Sequence, residues 1–226
     1  MNNLKSVGGD VEFSYNDKLT NVDGLNSLSS IGGNLLLIQN EDLQNISGFL
    51  NLQHFIGDVY VKSNFSLINL NGLNSLHNIN DLYLKGNHSL LNIGDLESIV
   101  SIEGNVVIGS NSDLVSLDGL NNIDEIGGGL SIYSNGGLEE LNELINVQSI
   151  GGGLIIRENN SLYSLSGLNS LNTIGGEISI SYNDTLSDFC AIKELLTIDG
   201  NGGDVLIYNN AFNPSVGEII NENCSL

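Results

Sequence analysis

The sequence predicts a mainly β solenoid of about nine stacked coils, with a parallel sheet on one face and a short C-terminal cap. Three observations point there. An asparagine recurs at Asn16, Asn40, Asn64, Asn87, Asn111, Asn135, Asn159, Asn183 and Asn210, in steps of 24 residues apart from one of 23 and a last one of 27. Apolar residues alternate just before each asparagine, and they recur every third position just after it. Self-similarity at a fixed period marks a stacked array, in which every unit does the same structural job and touches only its neighbours.

The residues three and five places before each asparagine are apolar: Val11 and Phe13, Leu35 and Leu37, Val59 and Val61, Leu82 and Leu84, Val106 and Ile108, Leu130 and Ile132, Leu154 and Ile156, Ile178 and Ile180, Val205 and Ile207. A period of two predicts a short strand with one buried face. After the asparagine the spacing becomes three: Leu43, Ile46, Phe49, Leu52 and Phe55 in the second unit, Leu114, Leu117, Leu120, Ile123 and Ile126 in the fifth. That spacing suits tight turns, 3₁₀ segments or short extended pieces. Burying one such side chain contributes roughly 1.5–3 kcal/mol, yet one coil has no second layer to bury it against. Stacking supplies the layer, and coils about 4.8 Å apart make a rod about 40 Å long. The expected layout is one structural domain, with residues 1–187 as the repeat solenoid, lacking an N-terminal cap, and residues 188–226 as the last coil and C-terminal cap.

The asparagines are expected to face inward. A short amide carries donors and an acceptor, tolerates turn geometry, and can bond to backbone groups or to its stacked neighbours. Glycines mark a second corner at Gly32–Gly33, Gly127–Gly129, Gly151–Gly153 and Gly175–Gly176, where positive φ just before the next strand is the expected reason for them. A further corner carries Gly24, Gly48, Gly72, Gly119 and Gly167. Sequons at Asn45, Asn64, Asn87, Asn159, Asn183 and Asn223 read as by-products of the repeat, because most sit on the ladder.

The formal charge of −21, from 27 acidic against 6 basic residues, argues against nucleic acid and anionic membrane surfaces as partners. No long apolar run is present to insert into a membrane. The start, MNNLKSVGGD, lacks the apolar core of a signal peptide. Met1, Leu4 and Val7 occupy the slots of Leu25, Leu28 and Ile31, so the chain opens in mid-repeat. Upstream sequence with a secretion signal is the expectation, and a cytosolic protein with a frayed first coil is the alternative. Cys190 and Cys224 both lie where the repeat changes length. A bridge between them would stabilise the end by about 3–4 kcal/mol and favours an extracellular compartment; two free thiols are the alternative. The segment from Pro214 to Ile220 is the expected helix of the cap.

The strand segment Leu35-x-Leu37-x-x-Asn40 resembles a leucine-rich-repeat core. The leucine after the asparagine falls three residues on rather than two, and Ile31 lies nine before rather than eight. With those departures, residues 24–46 are more similar to the receptor L-domain type, and to its bacterial cell-surface relatives with a cysteine-bearing end, here DFCAIKELL and YNNAFNPSVGEIINENC. The resemblance implies a right-handed single-strand β-helix and a binding role. It carries over no catalytic residue, because such repeats serve many unrelated functions.

No catalytic pattern, cofactor motif or metal site emerges from the residues. His54, His77 and His88 read as sitting at different repeat phases, with no ligand pair at helical spacing. No serine lies in a nucleophile elbow, and the glycine runs lack the Lys-Ser/Thr of a phosphate loop. Asp17, Asp42, Asp113 and Asp184 follow the ladder and read as solvated turn residues, although clustered carboxylates suit calcium.

The outward strand positions are the candidate site. Four of the seven tyrosines and three of the six basic residues fall in two columns, as Tyr60, Lys62, Tyr83, Lys85, Tyr133, Arg157 and Tyr208. Tyrosine offers an apolar body with a polar tip, and lysine or arginine meets carboxylates and sulfates. The plainer explanation is that tyrosine favours strands and the bases relieve local charge. The expected function is an extracellular or cell-surface binding or adhesion module for a protein or acidic polysaccharide, and not an enzyme. A rigid spacer without a ligand is the alternative. Ice binding ranks below both, because these columns mix Leu, Tyr, Lys and Gly. Oligomeric state is left open.

Overall fold

The computed structural model describes residues 3–198 and 200–226. Nine four-residue strands build one parallel sheet: β1 Val11–Ser14, β2 Leu35–Ile38, β3 Val59–Lys62, β4 Leu82–Lys85, β5 Val106–Gly109, β6 Leu130–Tyr133, β7 Leu154–Arg157, β8 Ile178–Ser181 and β9 Val205–Tyr208. They pair strictly in chain order, from β1 at one edge to β9 at the other. Each coil below takes the number of its strand. The register aligns equivalent positions, so Val59, Tyr60, Val61 and Lys62 pair with Leu82, Tyr83, Leu84 and Lys85. The architecture is the β-solenoid that the repeat predicts.

The core follows the two periods. The inward residues of β2 to β8 are fully buried, as are the two three-spaced series that begin at Leu43 and Leu114, apart from slight exposure of Phe55, Ile123 and Ile126. Successive backbone bonds three residues apart explain the second period. Leu43 N–H donates to the Asn40 carbonyl, Phe49 to Ile46, and Leu52 to Phe49, at 2.9–3.1 Å. Each such turn returns the chain to the same side, so every third side chain points inward. In six coils part of this stretch is a 3₁₀ segment, as at Ser47–Phe49 and Ser166–Leu168. Phe13 of β1, and Val205 and Ile207 of β9, are only partly buried, because each end strand pairs on one side alone.

A second row of two-residue parallel strands runs along the solenoid, which the spacing does not reveal. It is split into a three-stranded part ending at His54–Phe55 and a five-stranded part beginning at Asn78–Ile79. The split falls where the ladder step is 23. Coil 3 joins Phe55 to Val59 through Ile56, Gly57 and Asp58, whereas coil 4 joins Ile79 to Leu82 through Asn80 and Asp81 alone. One missing residue interrupts that row while the main sheet stays in register.

The glycine corner has a different cause from the one expected. Positive φ among glycines occurs at Gly72, Gly86 and Gly119, not at the glycine pairs before the strands. A Cβ on Gly127, Gly151 or Gly175 would lie 2.0–2.2 Å from a carbonyl oxygen of the preceding coil. Glycine is required there by the close approach of stacked backbones, not by the dihedral angle. Gly48 and Gly167 are confined in the same way, against the carbonyls of Val22 and Leu141.

The cap carries two short helices, α1 Lys193–Thr197 and α2 Val216–Ile220. The segment 214–220 was expected to be helical, and α2 begins after Ser215, whose side chain forms a capping box with Glu218. The additional helix α1 buries Leu195 and Leu196 over the end of the core. Its residues are mostly good helix formers, and no strand follows directly to demand extension. Cys190 and Cys224 are joined across a Cα–Cα distance of 5.0 Å, beside a bond from Phe189 N–H to the Cys224 carbonyl of 2.8 Å. At the other end, Met1 lies outside the described residues, Val7 packs on the core, and Leu4 is exposed.

Candidate functional site

The ladder is the scaffold of the site. Asn40, Asn64, Asn87, Asn111, Asn135, Asn159 and Asn183 are fully buried, and Asn210 nearly so. Each Oδ1 accepts the backbone N–H of the asparagine one coil earlier, as from Asn87 to Asn111 at 2.9 Å. Each Nδ2 donates to a carbonyl of that earlier coil, as from Asn111 to Leu84 at 3.0 Å. Amides also bond one another, as from Asn40 to Asn64 at 3.1 Å. Asn16 departs from the expectation of an inward residue. It is exposed, and its Nδ2 turns to the Ser14 carbonyl, because no earlier coil stands before it among the described residues. Burial leaves no room for a glycan on Asn64, Asn87, Asn159 or Asn183.

The residue before every ladder asparagine is left-handed: Tyr15, Gln39, Ser63, Gly86, Ser110, Ser134, Glu158, Tyr182 and Asn209 have φ between 52° and 70°. Only one of these is glycine, so the conformation costs the others about 1–2 kcal/mol each. The buried amide bonds offset that cost and fix the corner at which each strand ends.

Strand register brings six of the predicted site residues into one run across β3 to β7. Tyr60 pairs with Tyr83 and Lys62 with Lys85. Lys85 pairs with Gly109, Gly109 with Tyr133, and Tyr133 with Arg157. The Tyr60 and Tyr83 rings are stacked, with centroids 4.6 Å apart and planes 11° apart. Tyr133 leans over Gly109, where a Cβ would lie only 2.4 Å from its ring. That glycine therefore opens the bed for the ring. Lys85 Nζ lies 5.6 Å from the Tyr133 ring centroid, and the Arg157 guanidinium 5.2 Å from it on the next strand. The aromatic face holds both cations in place. With Leu36, Ile38 and Val107, the side chains of Tyr60, Lys62, Tyr83, Lys85 and Tyr133 line an open depression of about 410 Å³, and Arg157 stands outside its lining, beyond the Tyr133 ring. Tyr208 is not part of it. It lies on β9, edge-on to Tyr182 at 5.5 Å.

Charge sharpens the site. Among the described residues the ion pairs are Lys18–Asp42 and Lys193–Glu222. Lys62, Lys85 and Arg157 are exposed and have no carboxylate partner among the described residues, on a chain with 27 acidic residues. Burial, and then the charge of Asp58, raises the Tyr60 phenol above its ordinary pKa. Burial followed by Asp81 does the same for Tyr83. Both tyrosines therefore keep their protons as hydrogen-bond donors at neutral pH.

A second ladder borders the strand starts and escapes the sequence reading. Asp10 Oδ1 accepts the Asn34 N–H at 2.7 Å, Asn34 accepts from Asp58 at 2.9 Å, and Asp58 accepts from Asp81 at 3.3 Å. Asn105 accepts from Gly129 at 2.9 Å, and the series ends there. The signal was present in the sequence as Asp or Asn six residues before each of the first five ladder asparagines. His54 and His77, read as belonging to different phases, both line a separate depression of about 430 Å³ at the split in the second strand row. They stand equally far before Asn64 and Asn87, so these two share one repeat phase, contrary to the expectation, and His88 alone stands at another. Among the described residues no group of three or more His, Cys, Asp or Glu is arranged to hold a metal ion, and no helix is long and apolar enough to cross a membrane. No family model matches the sequence, and no curated protein matches it.

Proposed function

We propose that this chain is an extracellular or cell-surface binding module whose outward sheet face, across β3 to β7, engages an anionic partner, either protein or acidic polysaccharide. The observation that carries the reading is the trio of unpaired cations Lys62, Lys85 and Arg157, gathered among Tyr60, Tyr83 and Tyr133 on an otherwise strongly acidic chain. A cation held over an aromatic face and left without a carboxylate is available to one from outside. Kinship to leucine-rich repeats of the receptor L-domain type belongs to the same proposal, resting on residues 24–46. Binding rather than catalysis fits a site built from stacked tyrosines and cations with no nucleophile and base among them.

Arrays of acidic proteins and of carboxylated and sulfated glycans test this. The unaltered protein should bind a subset, and Lys62→Glu with Lys85→Glu should lose that binding while keeping the same unfolding temperature. Binding that survives the charge reversal would remove the site assignment. The unbroken ladder, which makes a stiff rod, favours a spacer as the second reading. Silence of the unaltered protein on every array would favour that spacer.

A further inference from the structure

The sheet face does not end at the ladder corner. Phe65 and His88 follow the ladder asparagines of coils 3 and 4, and their rings stack at 5.1 Å. Beyond them an apolar column continues on the adjoining face. Leu91 N–H donates to the Ile68 carbonyl at 3.1 Å, and Val115 N–H to the Leu91 carbonyl at 3.3 Å, so the three side chains stand in line on successive coils. They are 49 %, 49 % and 58 % exposed, and Phe65 is 39 % exposed. The equivalent positions on either side are Gln44 and Glu139, so the apolar column spans only coils 3 to 5. Those are the coils of the Tyr60–Tyr83 stack, Lys62, Lys85 and Gly109. Exposed apolar residues such as Ile56 and Ile198 lie outside this column, as is ordinary for a protein surface, and the exposed Tyr182–Tyr208 pair stands at the far edge of the sheet, away from the lysines. A contiguous patch bordering a charged site is not ordinary.

We infer that one partner covers both faces of this corner, and that it is an acidic polypeptide segment carrying apolar side chains. The inference rests on the sheet-face reading above. Charge complementarity sets the acidic character, because the corner presents Lys62 and Lys85 without carboxylate partners. The apolar character follows from the column of Ile68, Leu91 and Val115, which a carboxylated or sulfated glycan would leave unmatched. A segment that bends round the ladder corner would place its carboxylates against the two lysines and its apolar residues on the column.

A random-peptide display library and a panel of acidic polysaccharides, such as polygalacturonate and dextran sulfate, provide the probes. The enriched peptides should combine acidic and apolar residues. Their affinity should fall by at least about tenfold, as for loss of a central contact, both with Lys62→Glu/Lys85→Glu and with Ile68→Ser/Leu91→Ser/Val115→Ser. Val115→Ser alone, at the most exposed position, should weaken binding in the same direction without altering the fold. Peptides that lose binding with the lysine variant but not with the apolar variants would overturn the wrapped corner and leave the sheet-face site standing. Binding of polysaccharide alone would likewise overturn the polypeptide partner. Failure of every probe to bind would count against both readings.

Discussion

Asn213 closes the ladder that Asn210 would otherwise leave open. Its Oδ1 accepts the Asn210 backbone N–H at 2.8 Å and the Asn210 side-chain amide at 3.2 Å, and its own amide returns to the Asn210 carbonyl at 2.9 Å. In coils 2 to 8 those two donors go to the asparagine of the following coil, as from Asn183 to Asn210 at 3.1 and 2.9 Å. A residue three places on thus stands in for a whole coil, just before Pro214 ends the turn.

Replacing Asn213 by Ala should therefore cost about 1–3 kcal/mol, the penalty of leaving a partly buried donor unmet. Hydrogen exchange should rise first in β9 and α2, with the middle coils unchanged. Uniform exchange along the rod would show that Asn213 has no capping role.

The ladder should show an end effect under substitution. Asn111→Ala strands the Leu84 carbonyl and the Asn87 N–H inside the core, a loss of about 2–5 kcal/mol. Asn16→Ala removes an exposed amide bonded to its own strand, and should change stability by less than about 1 kcal/mol. Urea denaturation of the two variants checks the contrast. Equal losses would mean that the buried bonds are not what the asparagines supply.

Two alanine substitutions separate close approach from backbone freedom. At Gly151 a Cβ would lie 2.1 Å from the Gly127 carbonyl oxygen, so Gly151→Ala should destabilise by about 2 kcal/mol or more as stacked coils are forced apart. Gly136 has nothing within 4 Å of that position and no positive φ, so Gly136→Ala should be neutral or stabilise by up to about 1 kcal/mol. Thermal melts of both proteins decide it.

Glu143 should make stability depend on pH. Burial raises its carboxyl above the ordinary pKa, Asp118 adds to the effect, and backbone donors at Glu143 and Leu117 partly oppose it. Its Oε2 is buried without a partner among the described residues. With the folded pKa above the unfolded one, the folded state binds more protons between the two values. The ionised side chain therefore costs stability progressively as pH rises through that window. Glu143→Gln should stabilise the protein at neutral pH, and the gain should vanish under acid conditions. A gain that persists below the ordinary carboxylate range would exclude ionisation as its cause.

Local periodicity carried most of the fold. The pairs from Val11 and Phe13 to Val205 and Ile207 alternate because a strand turns successive side chains to opposite faces, and that rule needs only neighbours along the chain. The same ruler located Tyr60, Lys62, Tyr83 and Lys85 in two adjoining columns. It missed the second ladder from Asp10 to Asn105, because short polar residues before a strand look like ordinary turn residues until their partners are seen one coil away. It also assigned the wrong reason to Gly151. A requirement for glycine is visible in sequence, but the Gly127 oxygen that imposes it is not.

The sequence by itself determined the coil length, the inside and outside of each strand, and the gathering of cations on one face, since these depend on spacing alone. Tertiary structure decided which equivalents differ. Asn16 is exposed while Asn40 is buried, Tyr208 stands apart from Tyr133, and Arg157 is held on the Tyr133 ring that Gly109 makes room for. The physical reason is that a repeat gives every coil the same local rules, whereas burial, stacking and charge pairing depend on the particular side chains in the coils above and below.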